Sequence, residues 1–378
     1  MDIFMAEKKN SVVSILKEEL GMCVGWVTLI CFLVMGKTWF TGMSGVFLPT
    51  VLFLWLFPAM LWLSFRVVQH ADCLAIKLGE PYGTLILTLS VISIEMVMIS
   101  AVMLTGVQNP EVGRDMMFAV LMIVLNGLVG ISLLWGGIKH LEQVHNLQGA
   151  NTFLVVLIPL TVLTLILPNF TVSTSHGTYS TAQMVYAGLA SVALYGTFLT
   201  IQTMRHQGFF MIPGGDVEDK HGHDDLVVRS VFFHSMLLVG NMLPIVLLSK
   251  NMAKIIDYKI VSFGAPVALG GVLIAVLVLA PEGMAAIKSA TENKLQRSVN
   301  ICLGSALATI GMTVPAVLLI GLVTGNKVVL GLGPVDSVLL VTTLIVSMVT
   351  FSNTKTNIIH GFVHIILFIT YLVMIFDR

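Results

Sequence analysis

Charge is what this chain of 378 residues has least of: only 11% of it is Asp, Glu, Lys or Arg, and twenty acids balance twenty bases. A neutral chain offers no basic surface for phosphates, which excludes nucleic acid as a partner. Cysteine is also sparse. Cys23, Cys31, Cys73 and Cys302 lie in or beside apolar segments with no CxxC spacing, so they read as small buried hydrophobes rather than a disulfide frame or a zinc site. No Gly-rich phosphate loop precedes a Lys, so nothing in the chain draws on ATP, and any work has to come from an ion gradient. No Ser or His dyad of an intramembrane hydrolase is evident, so an enzyme is not expected. The apolar runs lack the two-residue alternation of an outer-membrane barrel. No cofactor is expected.

Apolar residues take up that room. They make up 56% of the sequence, and the mean hydropathy is +0.95, the composition of a polytopic membrane protein whose first partner is the lipid bilayer. Apolar windows fall at 21–36, 44–68, 82–106, 115–137, 152–170 and 181–203. They resume at 229–249, 264–291, 298–325, 337–352 and 359–376. The expected fold is therefore all-α, with about eleven transmembrane helices. Lys8, Lys9 and Lys17 precede the first window without a cleavage pattern, which predicts an uncleaved cytoplasmic N-terminus with a short interfacial helix on Val12, Ile15, Leu16 and Leu20. With the N-terminus inside, the twenty basic residues divide thirteen to seven in favour of the inner loops. Lys250, Lys254 and Lys259 fall together in an outer loop against that trend. The setting this implies is a bacterial inner membrane.

The segment Pro81–Met103 places Glu95 in the middle of an otherwise apolar helix, and Val272–Ala290 does the same with Glu282. A run of this length crosses a hydrocarbon core of about 30 Å. An ionisable group near mid-depth costs at least ~2.5–3.5 kcal/mol, so each glutamate marks a functional position. Thr84, Thr88 and Glu95 share one helix face, with Ser90 and Ser93 off that stripe and bonding back to the preceding turn. Glu80 lies about 22 Å from Glu95 along the axis, at the mouth. Pro281 interrupts the helix ladder just before Glu282, which either frees a carbonyl for a cation or only shapes packing.

The two halves echo each other around a polar linker. Gly79-Glu80-Pro81 opens the Glu95 helix and Gly264-Ala265-Pro266 opens the Glu282 helix. Each acidic helix precedes one with small and polar residues: Asn126, Gly127 and Gly130 in the first half, Gly304, Ser305, Thr309 and Thr313 in the second. Residues 1–40 form a tail and an extra helix, 41–205 and 229–378 two five-helix repeats, and 206–228 the linker. An odd number of spans per repeat inverts the second copy relative to the first, an arrangement typical of transporters. Asp216, Glu218, Asp219, His221, His223, Asp224 and Asp225 crowd the linker, which reads as solvated chain, or as a regulatory segment whose histidines titrate near neutral pH.

Protons and hard cations compete for the same carboxylate oxygens, and that competition is the thermodynamic core of an antiporter. Glu95 and Glu282 are the expected cation and proton sites, with Asn126, Ser305, Thr88 and Thr309 as supporting ligands. A gated cation channel is the rival class. His360 and His364 share a helix face without an HExxH acid, so packing or an internal hydrogen bond is the reading, with a metal or enzymatic pair as the alternative. Arg66, His70 and Asp72 look like interface charges. Whether copies of the chain form a homo-oligomer is left open.

Arg66…His70-Ala71-Asp72, Gly79-Glu80-Pro81-Tyr82-Gly83-Thr84-Leu85-Ile86-Leu87, Glu95, Pro281-Glu282-Gly283 and Gly304-Ser305-Ala306-Leu307-Ala308-Thr309 together resemble the bacterial calcium/proton antiporters of the ChaA type, in the cation/Ca²⁺ exchanger superfamily. The resemblance runs from about residue 60 to the C-terminus. It implies two inverted five-helix repeats and exchange of cytoplasmic Ca²⁺ for external H⁺, with Na⁺ and K⁺ as further substrates. An exchanger primarily of Na⁺ or K⁺ is the alternative. Vacuolar-type exchangers, a more distant match, carry Gly-Asn-x-x-Glu where this chain has Val91-Ile92-Ser93-Ile94-Glu95 and Val278-Leu279-Ala280-Pro281-Glu282. Only Glu95, Glu282, Ser305 and Asn126 carry over from that pattern.

Overall fold

The computed structural model describes residues 18–79, 82–105, 110–211 and 228–377, without the side chains of 82–85, 87, 88 and 105. Of the interfacial helix expected on Val12, Ile15, Leu16 and Leu20, only Leu20 is described, and it opens α1; the linker acids and histidines lie outside the described residues. Eleven helices follow one another: α1 Leu20–Thr41, α2 Phe47–Leu78, α3 Tyr82–Thr105, α4 Val112–His140, α5 Leu147–Phe170, α6 Thr181–Arg205, α7 Val231–Phe263, α8 Ala268–Thr291, α9 Leu295–Thr324, α10 Pro334–Thr350 and α11 Ile358–Ile375. Among the described residues, nine are long and apolar enough to cross a membrane, and the apolar stretches Leu89–Leu104 and Pro334–Thr350 are shorter. A helix satisfies its own backbone, which is why a chain this poor in charge folds into helices throughout its apolar runs.

Contacts between loops sort the connections onto two ends. At one end Arg229 pairs with Glu18 at 2.9 Å, His140 meets the Thr291 carbonyl, and the Asn146 amide donates to the Gly208 carbonyl. At the other, the Val329 N–H donates to the Pro110 carbonyl, Leu330 N–H to Gly177, and Lys259 to Thr50 Oγ1. Among the described residues, successive connections alternate between these ends. Exposed apolar side chains such as Val27 and Leu33 on α1, Leu189 on α6 and Phe362 on α11 face outward, while most of α4 is buried.

Helices α2 and α7 are the longest, and they pack antiparallel: Thr50 of α2 meets Lys259 near the C-terminus of α7, and His70 near the C-terminus of α2 meets His234 near the start of α7. Both overrun their apolar windows. Lys250, Lys254 and Lys259 are therefore not in a loop, as the sequence suggests, but on a helical extension of α7. Buried Met252, Ala253, Ile255, Ile256 and Ile260 interleave with the lysines and keep the helix going. Helix α1 likewise runs past its apolar window to Thr41, with Lys37 near its exposed end.

Helices α4 and α9 share another irregularity, a π-turn in mid-helix, at Ile123–Leu128 in α4 and Thr309–Thr313 in α9. One residue is inserted into the helical turn, and the facing of the side chains changes locally. Outside the bundle, a two-stranded antiparallel ribbon, β1 Glu142–Val144 and β2 Lys355–Asn357, ties the α4–α5 loop to the α10–α11 loop. Asn146 caps α5, Ser180 closes a capping box on α6, and Ser230 caps α7, each supplying an acceptor for otherwise unpaired N–H groups.

Candidate functional site

Helix α3 carries Glu95 and α8 carries Glu282, and both carboxylates meet α9. Thr309 Oγ1 donates to Glu95 Oε2 at 2.8 Å, and Ser305 Oγ donates to Glu282 Oε2 at 2.7 Å. Ser305 and Thr309 are four residues apart, so one face of α9 presents hydroxyls at two levels about 6 Å apart. The glutamates stand within electrostatic reach of one another. Glu95 is only 4% exposed and Thr309 fully buried, while Glu282 and Ser305 are half-buried.

The local sequence explains this convergence. Gly283 follows Glu282 where a Cβ would stand 2.7 Å from Leu128 Cδ2, so α8 approaches α4 closely at the level of the acid. Gly311, inside the α9 π-turn, lets Tyr195 of α6 press against the backbone: a Cβ there would lie 2.8 Å from Tyr195 Cβ. Ser90 and Ser93 donate to the carbonyls of Ile86 and Leu89 at 2.7 and 2.5 Å, as expected for residues off the Glu95 stripe. Helix α8 runs unbroken through Pro281.

Asn126 makes its hydrogen bonds away from the carboxylates. Its amide donates to Thr343 Oγ1 at 2.8 Å, and its carbonyl faces His364 Nδ1 at 3.1 Å; His364 Nε2 in turn meets Thr350 Oγ1 at 3.0 Å. Asn126 sits inside the α4 π-turn, which turns it toward α10 and α11, while Leu128 fills the side facing α8. Gly130 and Gly361 then bring α4 and α11 almost backbone to backbone. The expected hydrogen-bonded role of the histidines is what the structure has: His364 joins this network, and His360 Nδ1 accepts from Asn357 N–H at the start of α11. Glu80 and the Thr88 side chain lie outside the described residues.

Three features lie outside the ligand set that the sequence suggests. Thr313 is fully buried beside Glu95, close enough to act on its carboxyl, but its hydroxyl forms no well-aligned hydrogen bond. Its four-residue spacing from Thr309 was a readable signal. Tyr195 lies within electrostatic reach of Glu282. Glu19, in a stretch that reads as polar tail, is buried at the end of the bundle. It pairs with Arg66 and stands 3.3 Å from His70 Nε2, and His70 Nδ1 meets His234 Nδ1 at 3.1 Å. Burial would raise the pKa of Glu19, but His70 and Arg66 outweigh it and hold the carboxyl below its usual range. Arg66 and His70 are thus interface charges joining α1, α2 and α7.

Matches to known proteins bear on what such a site does. The model of the family described as sodium/calcium exchanger protein matches residues 48–204 and 233–376. The chain belongs to the sodium/calcium exchanger protein family. Within it, the sodium-potassium/proton antiporter ChaA of Escherichia coli (strain K12) is 41% identical over 316 residues, covering 83% of this chain and 85% of that protein. The putative ionic transporter y4hA of Sinorhizobium fredii is 39% identical over 311 residues, 82% of this chain and 84% of that protein. Among solved structures, native YfkE superposes with a TM-score of 0.72 at 17% identity, covering 95% of this chain and all of that one. The H⁺/Ca²⁺ exchanger CAX gives a TM-score of 0.63 at 13% identity, over 94% and 88% of the two chains. The fold of this family member is thus that of the cation/Ca²⁺ exchanger superfamily.

Proposed function

We propose that this chain is a secondary antiporter that exchanges a monovalent cation, Na⁺ or K⁺, for protons at Glu95 and Glu282. The coarser statement, a multi-pass cation/proton antiporter of the cation/Ca²⁺ exchanger superfamily and not an enzyme, follows from its family and its relatives. The observation that carries the finer one is the gathering of two membrane-embedded carboxylates on the hydroxyl face of a single helix. Two carboxylates sharing a site of low dielectric cannot both be ionised and empty, so a cation or protons must neutralise them. Loading of the cation then expels protons, and loading of protons expels the cation, without a separate link between two sites. The cation is cargo, and the exchange needs no resident cofactor.

Asn126 is engaged with His364 and Thr343, so carboxylates and hydroxyls dominate the side-chain ligands. The sodium and potassium in the name of the E. coli relative favour a monovalent ion. Ca²⁺ is the second reading, favoured by two carboxylates whose joint charge balances a divalent ion.

The same reading divides the chain into an extra helix, residues 1–40, two inverted repeats, 41–205 and 229–378, and a linker, 206–228. The antiparallel packing of α2 and α7 supports it. The end that carries Glu19, Arg66 and the linker faces the cytoplasm, in a bacterial inner membrane. Proteoliposomes loaded in turn with Na⁺, K⁺ or Ca²⁺ test the proposal. Na⁺ or K⁺ gradients should drive proton counter-movement, with Ca²⁺ the weaker driver. Cation current without obligatory proton counter-movement would instead mark a channel.

A further inference from the structure

Two oxygens beside the paired glutamates have no partner. Thr309 occupies Oε2 of Glu95, and Oε1 is buried without a hydrogen bond. One turn along α9, Thr313 Oγ1 is also buried and unpartnered, with the residue fully inaccessible. Helical threonines usually spend their hydroxyl on the carbonyl four residues back. In this chain Thr164 does so on Leu160, Thr203 on Leu199 and Thr324 on Ile320, at 2.7 Å each. Thr313, the last residue of the π-turn Thr309–Thr313, does not.

A buried hydroxyl left unpaired costs about 1–3 kcal/mol in an apolar interior. Here it lies beside the Glu95 carboxyl, whose Oε1 is in the same condition. A carboxylate oxygen only accepts, and a threonine hydroxyl carries two lone pairs, so the pair presents oxygen to a small electropositive ligand. Hard cations take such oxygens. Helix α9 starts at the end that carries Arg297 and finishes at the end that carries the 325–333 connection. Ser305, Thr309 and Thr313 therefore rise toward that far end in steps of about 6 Å.

We infer that Thr313 is a further ligand of the transported cation, sharing it with Glu95 Oε1 on the side of the site away from the linker. The inference rests on the paired-glutamate reading and extends it. A cation entering from the linker end meets Glu282 and Ser305, the less deeply buried of the two pairs. It passes to Glu95 and Thr309, and it completes its shell with Thr313 before leaving at the far end. Loss of a proton from Glu95 makes room for it.

The test uses the full-length protein in proteoliposomes, with Na⁺ and K⁺ as the probe ions. Thr313→Val removes the oxygen and keeps the volume, and Thr313→Ser keeps the oxygen. The half-saturating cation concentration for proton counter-movement should rise about tenfold in Thr313→Val, the size expected for one lost ligand oxygen, and should stay within about twofold of the parent in Thr313→Ser. A cation-induced rise in the melting temperature of the detergent-purified protein should shrink in Thr313→Val alone. If Thr313→Val does not accumulate, Thr313→Cys replaces it: Na⁺ or K⁺ should slow its modification by a small cationic thiol reagent. Unchanged half-saturation in Thr313→Val, or Thr313→Cys labelling indifferent to cation, overturns the role of Thr313. If Glu95→Gln abolishes exchange in the same preparation, the glutamate reading survives that result, and if Glu95→Gln exchanges normally, the reading itself is lost.

Discussion

The π-turns of α4, before the linker, and of α9, after it, do different work. That of α9 presents Thr309 to Glu95 across the halves, with Ser305 one turn before it on Glu282. That of α4 turns Asn126 into a closed network with Thr343 and His364, and sets Leu128 against Gly283. The backbone device is shared, and the chemistry is not. Each half contributes one carboxylate, but the hydroxyl ligands found on the carboxylates come from α9. The Ser305–Glu282 bond stays within the second half, whereas Thr309–Glu95 joins the two. Relative movement of the halves would therefore break the Glu95 contact first.

The sharpest way to break this comparison is to neutralise the carboxylates. Glu95→Gln and Glu282→Gln should each abolish cation-driven proton movement in everted vesicles while the protein still accumulates, and normal exchange by either would remove it from the site. The next effect in size separates the π-turns. Thr309→Val strips Glu95 of its hydrogen bond and should lower exchange at sub-saturating cation by about tenfold, the scale of a hydrogen bond to a charged group. Asn126→Leu should instead leave the half-saturating cation concentration unchanged. Stranding His364 and Thr343 should cost about 1–3 kcal/mol, seen as a lower melting temperature. If Asn126→Leu shifts cation affinity without loss of stability, the two turns are not as different as their contacts indicate.

Smaller effects come from glycine. A Cβ at Gly311 would meet Tyr195 at 2.8 Å, so Gly311→Ala should destabilise by about 1–3 kcal/mol. A Cβ at Gly127 would meet Phe368 at 3.5 Å, an ordinary contact, so Gly127→Ala should be neutral or slightly stabilising through helix propensity. Thermal melts of both variants check the pair, and equal losses would contradict the tighter packing around the α9 turn.

Much of this was legible in the sequence, for identifiable reasons. The eleven helices follow from apolar runs that must satisfy their own backbone. Glu95 and Glu282 stood out because an acid in a run of Leu, Ile and Val is costly, and Ser305 and Thr309 fell at helical spacing. The helical extension of α7 was hidden because its lysines alternate with the buried face. Asn126 looked like a ligand because it is a polar residue in the helix that follows the first acidic helix, and no residue type announces a π-turn. Glu19 was hidden in a polar segment, and its burial depends on Arg66 and His70, both distant in sequence.

The central claim is that protons and cation compete for the same carboxylates, and the pH dependence of cation affinity tests it most directly. In proteoliposomes, the half-saturating Na⁺ or K⁺ concentration should fall as the pH on the cation-loading side rises, while the maximal rate at saturating cation stays constant. A maximal rate that changes with pH at constant half-saturation would contradict competition at Glu95 and Glu282.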